Sequence, residues 1–278
     1  MSQQYSPQGL RMLPTGVKHL LIINLLFFIA TIVLRNSLNI DLEHWLSLYY
    51  VGSSSFRPWQ YITYMFMHAN IEHIFFNMFA LWIFGNVLEN VWGTRRFIIF
   101  YLLCGIGAGL VHTIVIGLTA APVLNQINLY AANPSPDALI ALCNEHFTGI
   151  VNPRWITQVT NAWRSGIPDD YGLTTVNALM DLYNNYIIGI PTVGASGAVY
   201  GILLAFGMLF PNEYIYLYFL LPIKAKWFVI GYAAIELFTG VMGTSDGIAH
   251  FAHLGGMLAG LIIILIWRKR DRNRYWNN

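Results

Sequence analysis

Charged side chains are scarce in this sequence: Asp, Glu, Lys and Arg make up 10% of its 278 residues, against about 25% in a soluble domain. With 56% apolar residues and a mean hydropathy of +0.52, that scarcity excludes an ordinary soluble chain and predicts a polytopic membrane protein. Cysteine is nearly absent. Cys104 and Cys143 build no disulfide framework; Cys104 is expected as a small core residue inside a span and Cys143 in a loop. A cleavable signal pattern is missing too, because no small-residue cleavage site and soluble region follow the first long apolar run. That run reads as a first span acting as its own insertion signal. No Cys/His/Asp cluster has metal-ligand spacing, so neither metal nor cofactor is expected. A net charge of +2 gives no sign of nucleic acid, and none is expected as a partner. The halves show no internal repeat, which weighs against a transporter or channel built from repeats.

The apolar runs predict six spans. Residues 1–17 form a polar tail. Leu20–Leu34, between Lys18 and Arg35, is the first span. Residues 36–60 mix Trp45, Tyr49, Tyr50, Phe56 and Trp59 with polar residues, as in an interfacial loop. The second span, about 70–91, carries so many polar groups (His68, Asn70, Glu72, His73, Asn77, Asn86 and Glu89 in and beside it) that they must face protein or a water-filled cavity. Span three covers about 96–118. Residues 119–190 contain five prolines and no adequate span, and read as a folded extramembrane insertion with weakly amphipathic pieces at 138–150 and 173–187. Spans four, five and six follow at about 193–210, 225–242 and 247–267. An aromatic connection, 213–224, links the first two of these, and a basic tail, 268–278, ends the chain.

Six spans put both termini on one side. With the termini cytoplasmic, eleven Lys and Arg lie inside and four outside, two of those four in the long insertion; the positive-inside rule favours that orientation. The expected location is a bacterial plasma membrane. Spans two, four and six then all run inward. His73, Asn77, Ser196 and His253 fall in the outer half of the bilayer at similar depth, at about 1.5 Å per residue. A shared water-accessible cavity explains that alignment.

The stretch Gly194-Ala195-Ser196-Gly197-Ala198-Val199-Tyr200-Gly201 opens span four. A serine among small residues at the mouth of an apolar helix suits a hydroxyl meant to be reached. Gly197 and Gly201, four apart, permit a close helix neighbour. Gly256 and Gly260, following His253 in span six, form the matching face. Packing the two faces together would bring Ser196 Oγ to His253 as nucleophile and base. His250, three residues away, competes for the base role. No carboxylate is placed to orient His253: Asp246 lies two turns earlier at the membrane edge and Glu236 in span five. A Ser–His dyad is therefore expected, with Tyr200, one turn below Ser196, stacking on the imidazole in place of an acid. His73 and Asn77, on one helix face, are candidate oxyanion donors together with the Ser196 N–H. The competing readings are a packing serine at 196, an interhelical hydrogen bond from Asn77 and a structural His73. His112 and His146 are expected to be incidental, and Glu89, flanked by Gly85 and Gly93, to bond loop backbone.

In combination these pieces resemble the rhomboid family of intramembrane serine proteases. The similarity rests on Gly194-Ala195-Ser196-Gly197, Ala252-His253-Leu254-Gly255-Gly256 with Gly260, His73-Ile74-Phe75-Phe76-Asn77, and Gly85…Glu89…Gly93. Their order matches the family's, over about 45–118 and 190–267. The resemblance implies an all-α polytopic fold, a six-transmembrane-helix rhomboid-like bundle here carrying an extra insertion between spans three and four. It implies Ser196 as nucleophile and His253 as base, with His73, Asn77 and the Ser196 amide as oxyanion hole. It also implies cleavage of single-pass transmembrane protein substrates within the lipid bilayer, near its outer face. Trp59-Gln60 is similar to the family's Trp-Arg pair, with the charge removed.

Two other classes stay open at this point: a catalytically dead relative that binds membrane clients, and a transporter or channel. Activity that depends on Ser196 separates the enzyme from both. Trp227, Phe228 and Phe238 of span five fit a lateral gate or ordinary lipid-facing surface.

Overall fold

A computed structural model describes residues 12–167, 169–217, 221–242 and 249–276. Most of the expected N-terminal tail and Asp246 lie outside these residues. The chain divides into two compact units. One is drawn from Met1–Leu48, Arg57–His112 and Thr192–Asn278, the other from Tyr49–Phe56 and Thr113–Pro191.

In the first unit, helix α1 (Thr15–Leu38) is apolar along its length and ends at Asn39, which takes a left-handed conformation with φ 54°. Helices α2 (Leu42–Leu46) and α3 (Gln60–Thr63) are short. The second span is built from α4 (Ile71–Ala80), a π-helical turn over Leu81–Gly85, and α5 (Asn86–Trp92). Asn70 caps α4 by accepting the His73 N–H at 2.8 Å. Helix α6 (Thr94–Ala132) is 39 residues long. At about 1.5 Å per residue it is nearly twice as long as the ~30 Å hydrocarbon core is thick. It passes through Pro122 without ending, so the helix does not stop at 118 as the sequence suggested, and its second half belongs to the other unit.

The second unit adds α7 (Pro136–His146), α8 (Pro153–Arg164) and α9 (Tyr171–Leu182), each started by a side-chain cap from Ser135, Asn152 or Asp170. Val123 and Ile127 of α6, Leu139 and Cys143 of α7, and Leu179 of α9 form its core. Tyr130 and Thr175 share a buried hydroxyl hydrogen bond of 2.5 Å. Cys143 therefore lies inside a helix and is buried, not in a loop, and burial pushes its thiol up to about 11.

The first unit resumes with α10 (Ser196–Leu209). A two-stranded antiparallel hairpin follows, β1 (Tyr214–Leu217) paired with β2 (Leu221–Lys224), where a plain connection was expected. Helices α11 (Ala225–Met242) and α12 (His250–Trp276) complete the chain. The expected basic tail thus continues as helix over most of its length.

Among the described residues, five helical segments are long and apolar enough to cross a membrane: Thr15–Leu38, Ile71–Trp92, Thr94–Ala132, Ala225–Met242 and His250–Arg270. With exposed apolar side chains such as Leu26, Ile114 and Phe238, they mark an integral multi-pass membrane protein. The sixth expected span, α10, is apolar but only 14 residues long. It is also the most enclosed helix: Gly197, Ala198, Ile202, Ala205 and Gly207 are all buried.

Apolar burial does not drive helices together inside lipid, so close packing must. Glycine provides it here. A Cβ on Gly256 would stand 1.8 Å from the Gly197 carbonyl oxygen, and one on Gly201 would stand 2.5 Å from Cys104 Sγ and 3.0 Å from the Gly256 carbonyl oxygen. A Cβ on Gly260 would meet Phe100 at 3.2 Å. The two small-residue faces do pack on one another, with α6 against both. Glu89 fixes the far end of the unit: its carboxylate accepts the Gly16 and Val17 N–H groups, each at 2.7 Å, and the Thr94 hydroxyl at 2.6 Å. It holds the first turn of α1 and the start of α6.

Candidate active site

The start of α10 is pinned by backbone. Leu48 and Thr192 exchange N–H···O bonds of 2.9 and 2.8 Å, and Gly194 N–H donates to Tyr64 O at 2.9 Å. His112, expected to be incidental, contacts Thr192 Oγ1 at 2.7 Å and braces the same segment. Gly194 has φ +124°, a conformation that excludes other residues, and a Cβ there would be 2.7 Å from His73 Nε2. Ser196 is consequently presented as the first residue of a helix whose leading N–H groups have no intrahelical partner.

Ser196 Oγ lies 2.8 Å from His253 Nε2. Tyr200 stacks on the His253 ring, centroids 4.2 Å apart and planes 6° from parallel. Close backbone packing at Gly197 and Gly256 sets the Ser–His distance, because any side chain at 256 would push α12 off α10.

His73 reaches Gly194 from α4, and its ring lies 5.1 Å from that of His68. Asn77 is buried on the same helix, and its Nδ2 has no hydrogen-bond partner among the described residues. A buried donor left unbonded is costly. The arrangement makes sense if a partner arrives with the substrate. Among the described residues, the interhelical hydrogen bond that competed as an explanation for the Asn77 amide donor is not made.

One sequence expectation is overturned. A carboxylate does stand beside His253. Glu236 is only 5% exposed, and its Oε1 lies 3.0 Å from His253 Nδ1. The approach is off the ring N–H direction, a close contact rather than an aligned hydrogen bond. Its Oε2 lies 2.6 Å from His250 Nδ1, and the Tyr200 hydroxyl donates to Oε1. His250 is therefore turned to the carboxylate, not to the serine. The sequence concealed this because Glu236 and His253 sit on different helices whose facing sides only packing determines. A signal did exist: an acidic residue within an apolar span is a functional candidate by default.

Glu236, His250 and His253 each offer a ligand atom, all within 4.8 Å of one another. This spacing suits a divalent ion, and it corrects the expectation that no such cluster exists. The carboxylate is already hydrogen-bonded by His250 and Tyr200, with His253 Nδ1 in close contact.

Gln60 follows Trp59 in the first loop. It is fully buried, accepts the Arg57 N–H at 3.0 Å and reaches Trp45 O at 3.4 Å, while Trp59 Nε1 donates to the same carbonyl at 3.2 Å. The loop is thus tied by neutral hydrogen bonds. Trp227 and Phe238, the span-five aromatics of the expected gate, are exposed.

Comparison with known proteins agrees with the geometry. The Rhomboid domain profile matches residues 55–124 and 170–270. Rhomboid protease GlpG of Klebsiella pneumoniae is 31% identical over 89 residues, 32% of each chain. Rhomboid-like protein 11, chloroplastic, of Arabidopsis thaliana is 39% identical over 70 residues, 25% of each. An uncharacterized mitochondrial rhomboid protein of Schizosaccharomyces pombe is 23% identical over 255 residues, covering 80% of this chain and 56% of that one. The aligned stretches thus span about a third of the GlpG relative and about half of the yeast one. With the domain matched over more than half of its length, this chain belongs to the rhomboid family.

Proposed function

We propose that the chain is an intramembrane serine endopeptidase that cleaves single-pass transmembrane proteins near the outer face of the membrane. The observation that carries this reading is the 2.8 Å approach of Ser196 Oγ to His253 Nε2 at the start of a short buried helix. Serine is a weak nucleophile until a base takes its proton. His253 Nε2 accepts that proton as Ser196 Oγ attacks the scissile carbonyl. His73, Asn77 and the Ser196 N–H donate to the oxyanion. The C–N bond then breaks, the leaving amine takes the proton from Nε2, and an acyl-enzyme remains. Water, deprotonated by the same nitrogen, releases the second product and returns the proton to Ser196.

The membrane orientation is part of the same reading. Both termini are cytoplasmic, residues 119–190 form an extracytoplasmic insertion, and the membrane is a bacterial plasma membrane. The excess of Lys and Arg on the terminal side supports this arrangement.

The test is labelling of the detergent-solubilised protein with a fluorophosphonate, beside Ser196→Ala and His253→Ala. The parent should label and both variants should not. A folded parent that does not label would point to a client-binding member of the family without activity.

A further inference from the structure

Helix α11 presents a mainly lipid-facing surface: of its 18 residues only Ala225, Val229 and Glu236 are buried. A carboxylate among them is expensive unless it is paired. Three groups meet it, and a fourth braces one of them. His250 Nδ1 and His253 Nδ1 lie at 2.6 and 3.0 Å, the Tyr200 hydroxyl donates to it, and Thr239 Oγ1 stands 3.1 Å from His250 Nδ1. His253 therefore faces Ser196 with one ring nitrogen and a buried carboxylate with the other.

We infer that Glu236 is a positioning residue for His253, making the Ser196–His253 pair the working end of a three-residue relay anchored by His250 and Tyr200. The inference rests on the serine protease reading. A neutral imidazole carries one proton, on either nitrogen. A carboxylate beside Nδ1 draws the proton there, because a lone pair facing a carboxylate is repelled. Nε2 is then left unprotonated and able to accept from Ser196. When that proton transfers, Nδ1 keeps its own and the ring becomes an imidazolium. Glu236 remains ionised and stabilises the new positive charge in surroundings of low dielectric. The off-line approach at 3.0 Å fits a resting site, since catalytic hydrogen bonds often align only as charge develops.

The neighbours have matching duties. His250 holds Oε2, so that Oε1 stays directed at His253 and Tyr200. Tyr200 holds the ring plane by stacking and the carboxylate by its hydroxyl, which couples the two orientations. Among the described residues, His73 on α4 and His112 on α6 are the other titratable groups that act on His253. Tyr232, on α11 itself, faces Tyr200 at 6.3 Å.

The test compares parent, Glu236→Gln, Glu236→Asp and His250→Gln in the full chain, with a fluorogenic transmembrane peptide in detergent. Glu236→Gln keeps the shape but can present an N–H to Nδ1, which would leave the wrong nitrogen protonated. The expected result is a fall in kcat of at least about 100-fold with KM within about threefold. The acidic limb of the pH–kcat profile should move to lower pH, and Glu236→Asp should regain about tenfold. His250→Gln should lose about tenfold. Nitrogen NMR of 15N-histidine protein, with His253 assigned by its loss in His253→Ala, reads the tautomer without any turnover. The parent should show the Nδ1–H form and Glu236→Gln should not. Parent-like kcat and pH profile in a folded Glu236→Gln, or an Nε2–H tautomer in the parent, would overturn the inference. A parent with the Nδ1–H tautomer but no fluorophosphonate labelling would instead overturn the protease reading while leaving the Glu236–His253 pairing in place.

Discussion

At the residue scale, Asn77 is where a structural amide and the proposed oxyanion donor can be told apart. An Asn that ties helices together would cost stability when removed; Asn77 Nδ2 has no such bond to lose. Asn77→Ala should therefore lower kcat by about 10²–10³-fold, the usual loss for one oxyanion donor, while the thermal midpoint in detergent stays within a few degrees. His68 gives the opposite pattern. It precedes the second span, is 2% exposed, and burial, with His73 beside it, holds its ring down to about 3. An unfolded histidine takes up a proton near pH 6.5, whereas the folded ring does so only near 3. Its contribution is fully present above about pH 6.5 and is lost as the pH falls toward 3. Melting curves at pH 7 and 4.5 should show a smaller drop for His68→Phe than for the parent.

At the element scale, the meeting of α10 and α12 has no slack. Gly256→Ala places a methyl against the Gly197 carbonyl oxygen, 1.8 Å away before relaxation. About 1–3 kcal/mol of overpacking is expected, with loss of fluorophosphonate labelling because Ser196 and His253 move apart. Gly231 on α11 is the control: a Cβ there meets nothing within 4 Å. Gly231→Ala should leave labelling intact and raise the midpoint slightly, since Ala is the better helix former. Glu89 belongs to the same scale. Glu89→Ala strands the buried Gly16 and Val17 N–H groups, at about 1–3 kcal/mol for a group left unsatisfied, and should appear as early loss of α1 protection in hydrogen exchange.

For the whole molecule, the proposed orientation can be read with single cysteines. Cys104 and Cys143 are both buried, and the raised Cys143 thiol keeps background labelling low. Thr148 and Lys269 are exposed. In intact cells a membrane-impermeant maleimide should label Thr148→Cys and spare Lys269→Cys until the cells are opened. The reverse pattern would invert the proposed topology and with it the proposed face of cleavage.

The sequence by itself determined the class of molecule and named most residues of the candidate site. Its hydropathy marked the helices that cross the membrane, because a span must be apolar over a fixed length. The spacing of Gly197 with Gly201 and of Gly256 with Gly260 marked the helix faces that meet, because only a missing Cβ permits backbone contact. The candidates Ser196, His253, His73 and Asn77 were picked out by their expected depth along spans two, four and six. Tertiary structure alone decided what lies beside them. Whether Glu236 faces lipid or His253 depends on the rotation of α11 against α10 and α12, and no local pattern encodes that angle. The passage of α6 through Pro122 and the capped helices after it were equally hidden, because long-range packing outweighs a local helix breaker.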